Sequence, residues 1–214
     1  SVSGAGDANT VTNSNVGATS TFTVNTPDGS SSDYATGLIT GDLNLVKTGL
    51  GSLAAGAVTA VGVTVNNGSL TAGAVTASNE FRMSGGTATV GAMSGGAGST
   101  GKVTVDAGQT LTVNGEMTNH SLITVSAADS VITTTGGGSL TLTGLLTGPG
   151  EVNLPITIDG GTISPGSSPG TMTTVGQTWK GGVYLWEIND ATEAKAGENP
   201  GYDKLNINGT LDLA

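Results

Sequence analysis

Short apolar–polar–apolar runs, each followed by a glycine-containing turn, recur along this chain at intervals near twenty residues. Val63–Val65, Phe81–Met83, Val103–Val105, Ile123–Val125, Leu140–Leu142 and Ile156–Ile158 form one such series, with starts 18, 22, 20, 17 and 16 residues apart. Alternation is the period of a strand, so each triplet turns two apolar side chains to one face and its middle residue, usually Thr, to the other. After most triplets a turn such as "NNG", "SGG" or "DAG" leads into a second short strand. The drifting spacing excludes a strict hexapeptide or nonapeptide array. It fits a solenoid, whose coils pair through their backbones while the turns vary in length. The expected fold is therefore all-β: a right-handed parallel β-helix with irregular coils of about 16–22 residues, closed by longer terminal strands. A meandering β-sandwich is the competing arrangement.

Composition agrees with thin apolar layers rather than a thick core. Glycine supplies 37 of 214 residues and aromatic side chains only 3%. The net charge of −10 excludes the basic footprint of a nucleic-acid binder and opposes charge-driven adhesion to anionic membranes. No window of 18 residues is free of polar side chains, so no apolar helix of membrane-spanning length is encoded. The absence of cysteine and the small-residue start "SVSGAG" lead to the expectation of an exported protein with its signal peptide removed.

Three regions differ in texture. Residues 1–40 carry weak strands around a polar "TPDGSSSD" turn and are expected to form an N-terminal arm or cap. Residues 41–170 carry the repeats. Residues 171–214 hold four of the seven aromatic residues and the longer strands "GGVYLWEI" and "DKLNINGTLDL". These are expected to fold back as a terminal pair, closing the solenoid or forming an interface. The loop between them, 189–201, has the one plausible helical turn, at 189–197. A last strand running to Ala214 reads as part of something longer.

The stretch 41–73 resembles the passenger-associated repeat of bacterial autotransporters, through Lys47-Thr48-Gly49 and the run Val63 to Leu70. The stretch 155–213, with its double Ser-Pro-Gly and the following "GGVYLWEINDA", is similar to segments that close such arrays in large secreted bacterial proteins. The resemblance implies a β-helix exported across the cell envelope and belonging to a longer polypeptide. It does not imply a chemistry, since passengers include adhesins, proteases, esterases and spacers. Pro165 and Pro169 cannot donate ladder hydrogen bonds and Gly166 and Gly170 permit tight turns, so "SPGSSPG" is expected to be a structural corner.

Catalytic and ligand-binding patterns are weak throughout. Gly96, Gly101 and Lys102 have phosphate-loop spacing, but Val103 replaces the magnesium-binding hydroxyl and a strand follows instead of a helix. Ser99 and Thr100 stand where a calcium repeat needs a carboxylate. Asp190, Glu193, Glu198 and Asp203 form an acidic loop interleaved with Lys195 and Lys204, which reads as solvated in preference to calcium-binding. His120 is the only histidine and precedes a strand, with no nucleophile-elbow sequence around any serine. The acids Asp106, Glu116, Asp129 and Glu151 are dispersed, and Arg82 and Lys102 are the bases near them. No catalytic residue, cofactor or metal site is assigned.

The expected role is non-enzymatic: an extracellular, cell-surface structural or adhesive protein, a rod, stalk or filament subunit. It would self-associate head-to-tail through exposed strand edges, or belong to a longer polypeptide. Candidate interface residues are Phe22, Val24, Trp186, Ile188, Leu211 and Leu213. One alternative is a carbohydrate-binding segment of an adhesin stacking sugars on Trp179, Tyr184 and Trp186. The other is a glycan-cleaving β-helix enzyme, which needs two carboxylates converging on a groove.

Overall fold

The computed structural model describes residues 10–13, 15, 17–98, 100–192 and 195–214. It is all-β, with parallel strands stacked as a β-solenoid of about eight turns. Each coil has three faces, and every face is a column of strands paired in parallel with the coils before and after.

On the first face the inward positions run Phe22, Leu45, Val63, Phe81, Val103, Ile123, Leu146, Ile163 and Tyr184, nine rungs in register. The second face runs from Ser32 through Leu53, Leu70, Ala88, Leu111, Ile132, Val152 and Thr174 to Ile207. The third runs from Val11 through Ile39, Val58, Val75, Met93, Met117, Leu140, Ile156 and Gln177 to Leu211. These columns point into one continuous apolar core along the stack. Each aliphatic rung fully withdrawn from water contributes roughly 1.5–3 kcal/mol, which a single unstacked coil could not gather.

The triplet chemistry holds in detail. Val103-Thr104-Val105 and Ile123-Thr124-Val125 bury their outer members and leave the threonine partly exposed. The single series of six triplets is corrected, however. The first four share the first face, whereas Leu140 and Ile156 belong to the third, with Leu146 and Ile163 continuing the first. Inward–outward–inward patterning is the same on every face, so the period alone does not reveal a change of face. The third strand of each coil was hidden for a related reason. Ser52–Val65 is one unbroken strand that bends through all three faces, with no turn at its corners beyond Gly56 and a register shift between Ala60 and Gly62.

Both ends continue the stack. Thr10–Asn13 and Ser20–Asn25 pair in parallel with Ser31–Gly41 and Leu43–Thr48, so the described strands before Leu43 begin the stack. Thr171–Thr174 and Lys204–Ile207 are successive rungs of the second face. Gln177–Trp179 and Leu211–Leu213 are successive rungs of the third, while Val183 and Tyr184 continue the first on Thr162 and Ile163, which corrects the expected fold-back of "GGVYLWEI" against "DKLNINGTLDL". In 189–197 the described residues make one short helical turn of the 3₁₀ kind, the Lys195 amide donating to the Thr192 carbonyl (3.0 Å) and the Thr192 amide to Asp190 Oδ1 (3.1 Å); Glu193 lies outside the described residues.

At the corner between first and second faces Lys47 has a role that the sequence did not disclose. It sits at an inward position between Val24 and Val65, fully buried. Its Nζ donates to the carbonyls of Thr48 (2.7 Å), Gly49 (2.9 Å) and Asn67 (3.3 Å), tying two successive corners together. Burial holds its pKa below 10.5. Gly68 (φ +69°) completes the arrangement, since a Cβ there would come within 2.7 Å of that nitrogen and would meet the Gly51 carbonyl. Replacing Lys47 by Ala removes the donors and the packed stem together. Chemical denaturation is expected to show a loss of about 3 kcal/mol.

Candidate functional site

Among the described residues, the C-terminal end of the stack exposes inward-type side chains. Its last rungs are Tyr184, Ile207 and Leu211, one from each face, and no coil covers them among the described residues. With Gln177, Trp179, Leu205 and Leu213 they line an open-ended cavity of about 380 Å³. Gln177 is the single strongly polar lining side chain, and it is engaged: Nε2 donates to Thr174 Oγ1 (2.8 Å) and Oε1 accepts from Trp179 Nε1 (2.8 Å). Leu211 is 48% exposed and Leu213 75%. The same inward positions two coils earlier, Ile156 and Ile158, are buried. The mouth is thus a core cross-section facing solvent, bordered by unpaired strand edges.

The segment from Leu185 to Asp203 leaves this cross-section open. It is the corner between first and second faces, much lengthened, and it folds onto the corner of the preceding coil. Ser168 Oγ donates to Glu187 Oε1 (3.1 Å), and Asn199 Nδ2 donates to the Ser168 carbonyl (2.8 Å). Buried Asp203 anchors it by accepting from the Gly170 amide through Oδ1 and the Glu187 amide through Oδ2, both at 2.9 Å. Trp186 donates to the Asp203 carbonyl (2.8 Å) and meets Tyr202 edge-to-face with centroids 5.8 Å apart.

The structure separates the candidate interface residues into three groups. Leu211 and Leu213 are at the mouth. Phe22 and Val24 are at the opposite end, inward on the first face and mostly covered by Leu45 and Lys47. Trp186 and Ile188 stand on the lengthened corner, about half exposed, and do not line the mouth. Of the three aromatics named for sugar stacking, Trp179 and Tyr184 line the mouth while Trp186 does not, so they offer no common platform. Sequence reasoning missed Trp179, Leu205 and Ile207 as mouth residues. Their inward alternation was legible, but which coil came last required the register.

"SPGSSPG" is a corner, of the same kind as the Lys47 turn. Pro165 ends the first-face strand beside Gly148, and Thr171 begins the second face. Gly166 (φ +77°) and Gly170 pass so closely that a Cβ on Gly170 would lie 2.6 Å from the Gly166 Cα. With Pro149, Glu151, Thr171 and Gly197 this corner lines a cleft of about 480 Å³.

The remaining acids do not converge. Asp106 pairs with Arg82 (2.9 Å), Asp129 accepts from the Gly108 amide (2.9 Å), Glu116 lies on a shallow groove of the third face, and Glu151 is in the corner cleft. Among the described residues no group of three His, Asp or Glu is placed to hold a metal ion. Lys102 lies on a strand that begins at Gly101, paired beside Glu80.

No family model, curated protein or solved structure matches this chain.

His120 is 2% exposed, with neither ring nitrogen hydrogen-bonded in the geometry. Desolvation lowers its pKa to about 4, with the nearby Gly101 backbone partly opposing. The folded state therefore binds fewer protons than the unfolded state between pH 6.5 and 4. Stability is complete above pH 6.5 and drains as pH falls through that window. Urea unfolding at pH 7 and 4.5 is expected to show a loss of about 2–3 kcal/mol from this residue, absent in His120→Leu.

Proposed function

We propose that this chain is a non-enzymatic structural or adhesive segment of a bacterial extracellular rod, stalk or filament, which self-associates through the ends of its coil stack. The observation that carries the reading is the open apolar cross-section at Trp179, Tyr184, Ile207, Leu211 and Leu213. An isolated solenoid end of this kind exposes both a core surface and free backbone edges, and a further parallel coil satisfies both. The resemblance of Lys47-Thr48-Gly49 and of residues 155–213 to autotransporter passenger segments supports an exported rod, as do the acidic charge and the lack of cysteine.

Electron microscopy and light scattering across a concentration series test this. Filaments or linear oligomers that grow with concentration are expected. Leu211→Asp with Leu213→Asp should shift the onset at least tenfold, because each charge would occupy a buried rung of the junction (about 1.4 kcal/mol per tenfold). A chain monomeric at every concentration sinks the proposal.

A further inference from the structure

Outward side chains of the third face form a column that neither the core nor the mouth uses. It runs through Thr40, Thr59, Thr76, Ser94 and Thr118, each paired with the next. Beyond the pairing of Met117 with Leu140 it continues through Thr141, Thr157 and Thr178. Eight successive rungs thus present a hydroxyl at the same place, about 4.8 Å apart, in a row of about 34 Å. The matching column of the first face is broken by Val46 and Arg82, and that of the second by Val131 and Glu151. Strand propensity explains a threonine at an outward position, and Thr–Thr hydrogen bonds across strands would explain a ladder. Among the described residues no such bond is made. The threonine hydroxyls of the column have no protein partner, and Ser94 Oγ accepts from the Gly96 amide (3.2 Å). Thr104 on the first face, by contrast, donates to Glu80 Oε1 (2.7 Å).

Two residues before Thr59, Thr76 and Ser94 stand Ala57, Ala74 and Ala92, paired in the same register and turned to the same side. Methyl and hydroxyl groups therefore repeat in two directions, about 4.8 Å between coils and roughly 6.6 Å along each strand. A trough of about 240 Å³ follows one flank of the hydroxyl column at Thr40, Thr59 and Thr76, and one of about 140 Å³ follows the other at Thr76, Ser94 and Thr118. Each has room for a file of waters at about 30 Å³ apiece. Both rows are uncharged from Ala57 to Ser94 in a protein of net charge −10, with Asp42 and Glu116 at the margins of the troughs.

We infer that this face binds water in a lattice, the surface of an ice crystal. A hydroxyl donates one hydrogen bond and accepts two, so each threonine replaces a lattice water, and the methyl groups between them restrict neighbouring water without competing for its bonds. The two axial repeats of hexagonal ice lie within an ångström of the two spacings of the array. Coil pairing fixes the hydroxyls before contact, so little ordering entropy opposes binding. An uncharged lattice also suits an uncharged patch better than other occupants do. The two rows hold no aromatic ring on which a sugar stacks, and Leu38 is their one large aliphatic side chain, too little to anchor a protein.

The test uses the full chain, with ice as the probe. Partition of the labelled chain into a slowly growing crystal is measured, together with the concentration that halts recrystallisation in a polycrystalline film. Enrichment in the ice and inhibition are expected. Thr59→Tyr with Thr76→Tyr sets two rings across the array and should raise the inhibiting concentration roughly tenfold or more. Thr59→Lys with Thr76→Lys gives a second readout with the same expectation, and urea midpoints confirm that each pair folds. Thr124→Tyr with Thr147→Tyr, the same change at outward positions of the first face, should leave the inhibiting concentration within about twofold. Exclusion of the unaltered chain from ice at every concentration overturns the inference. So does an equal loss in the first-face variant, or retention on crystalline cellulose with exclusion from ice. Filament formation is read separately: a chain that stays monomeric yet enters ice sinks the self-association reading alone.

Discussion

Everything in this molecule depends on the parallel backbone pairing of each coil with its neighbours. A coil of about twenty residues contributes a few inward side chains and cannot enclose a core alone. Pairing first face to first face, second to second and third to third aligns those side chains into columns, and the columns are the core. The inward alternation, the buried lysine and the open mouth all follow from that one translation, repeated about eight times.

The periodicity of the sequence exposes this plan well and its geometry poorly. Val103-Thr104-Val105 declares two inward residues and one outward, and the structure agrees. What it does not declare is the face, because Leu140-Thr141-Leu142 has the same chemistry on a different column. Corners that are bends within a strand, as along Ser52–Val65, carry no Gly-Asn or Pro-Gly punctuation and so leave the three-sided cross-section unannounced. Lys47 was visible as part of a motif but not as a buried donor, since its role depends on the Asn67 carbonyl of the following coil.

The candidate site was legible in its outermost residues. Leu211 and Leu213 lie on the strand Leu211–Leu213, and alternation marks them as inward. Trp186 was harder. An aromatic beside Tyr184 reads as part of the same strand, yet the chain leaves the first face after Leu185 and turns Trp186 towards Tyr202 and Asp203. The anchor is the Asp203 carboxylate, which bridges two amides remote in sequence, and spacing carries no trace of such a bridge.

The glycine-rich corner between first and second faces accommodates "NNG", "SPGSSPG" and the whole of Leu185–Asp203 while the strands on either side hold their register. The other two edges take shorter insertions, up to the six residues between Ser94 and Gly101 and the five between Thr133 and Ser139, while this edge takes the longest. That edge is where a scaffold of this kind can acquire new sequence, natural or grafted, in evenly spaced rows and without renegotiating its interior.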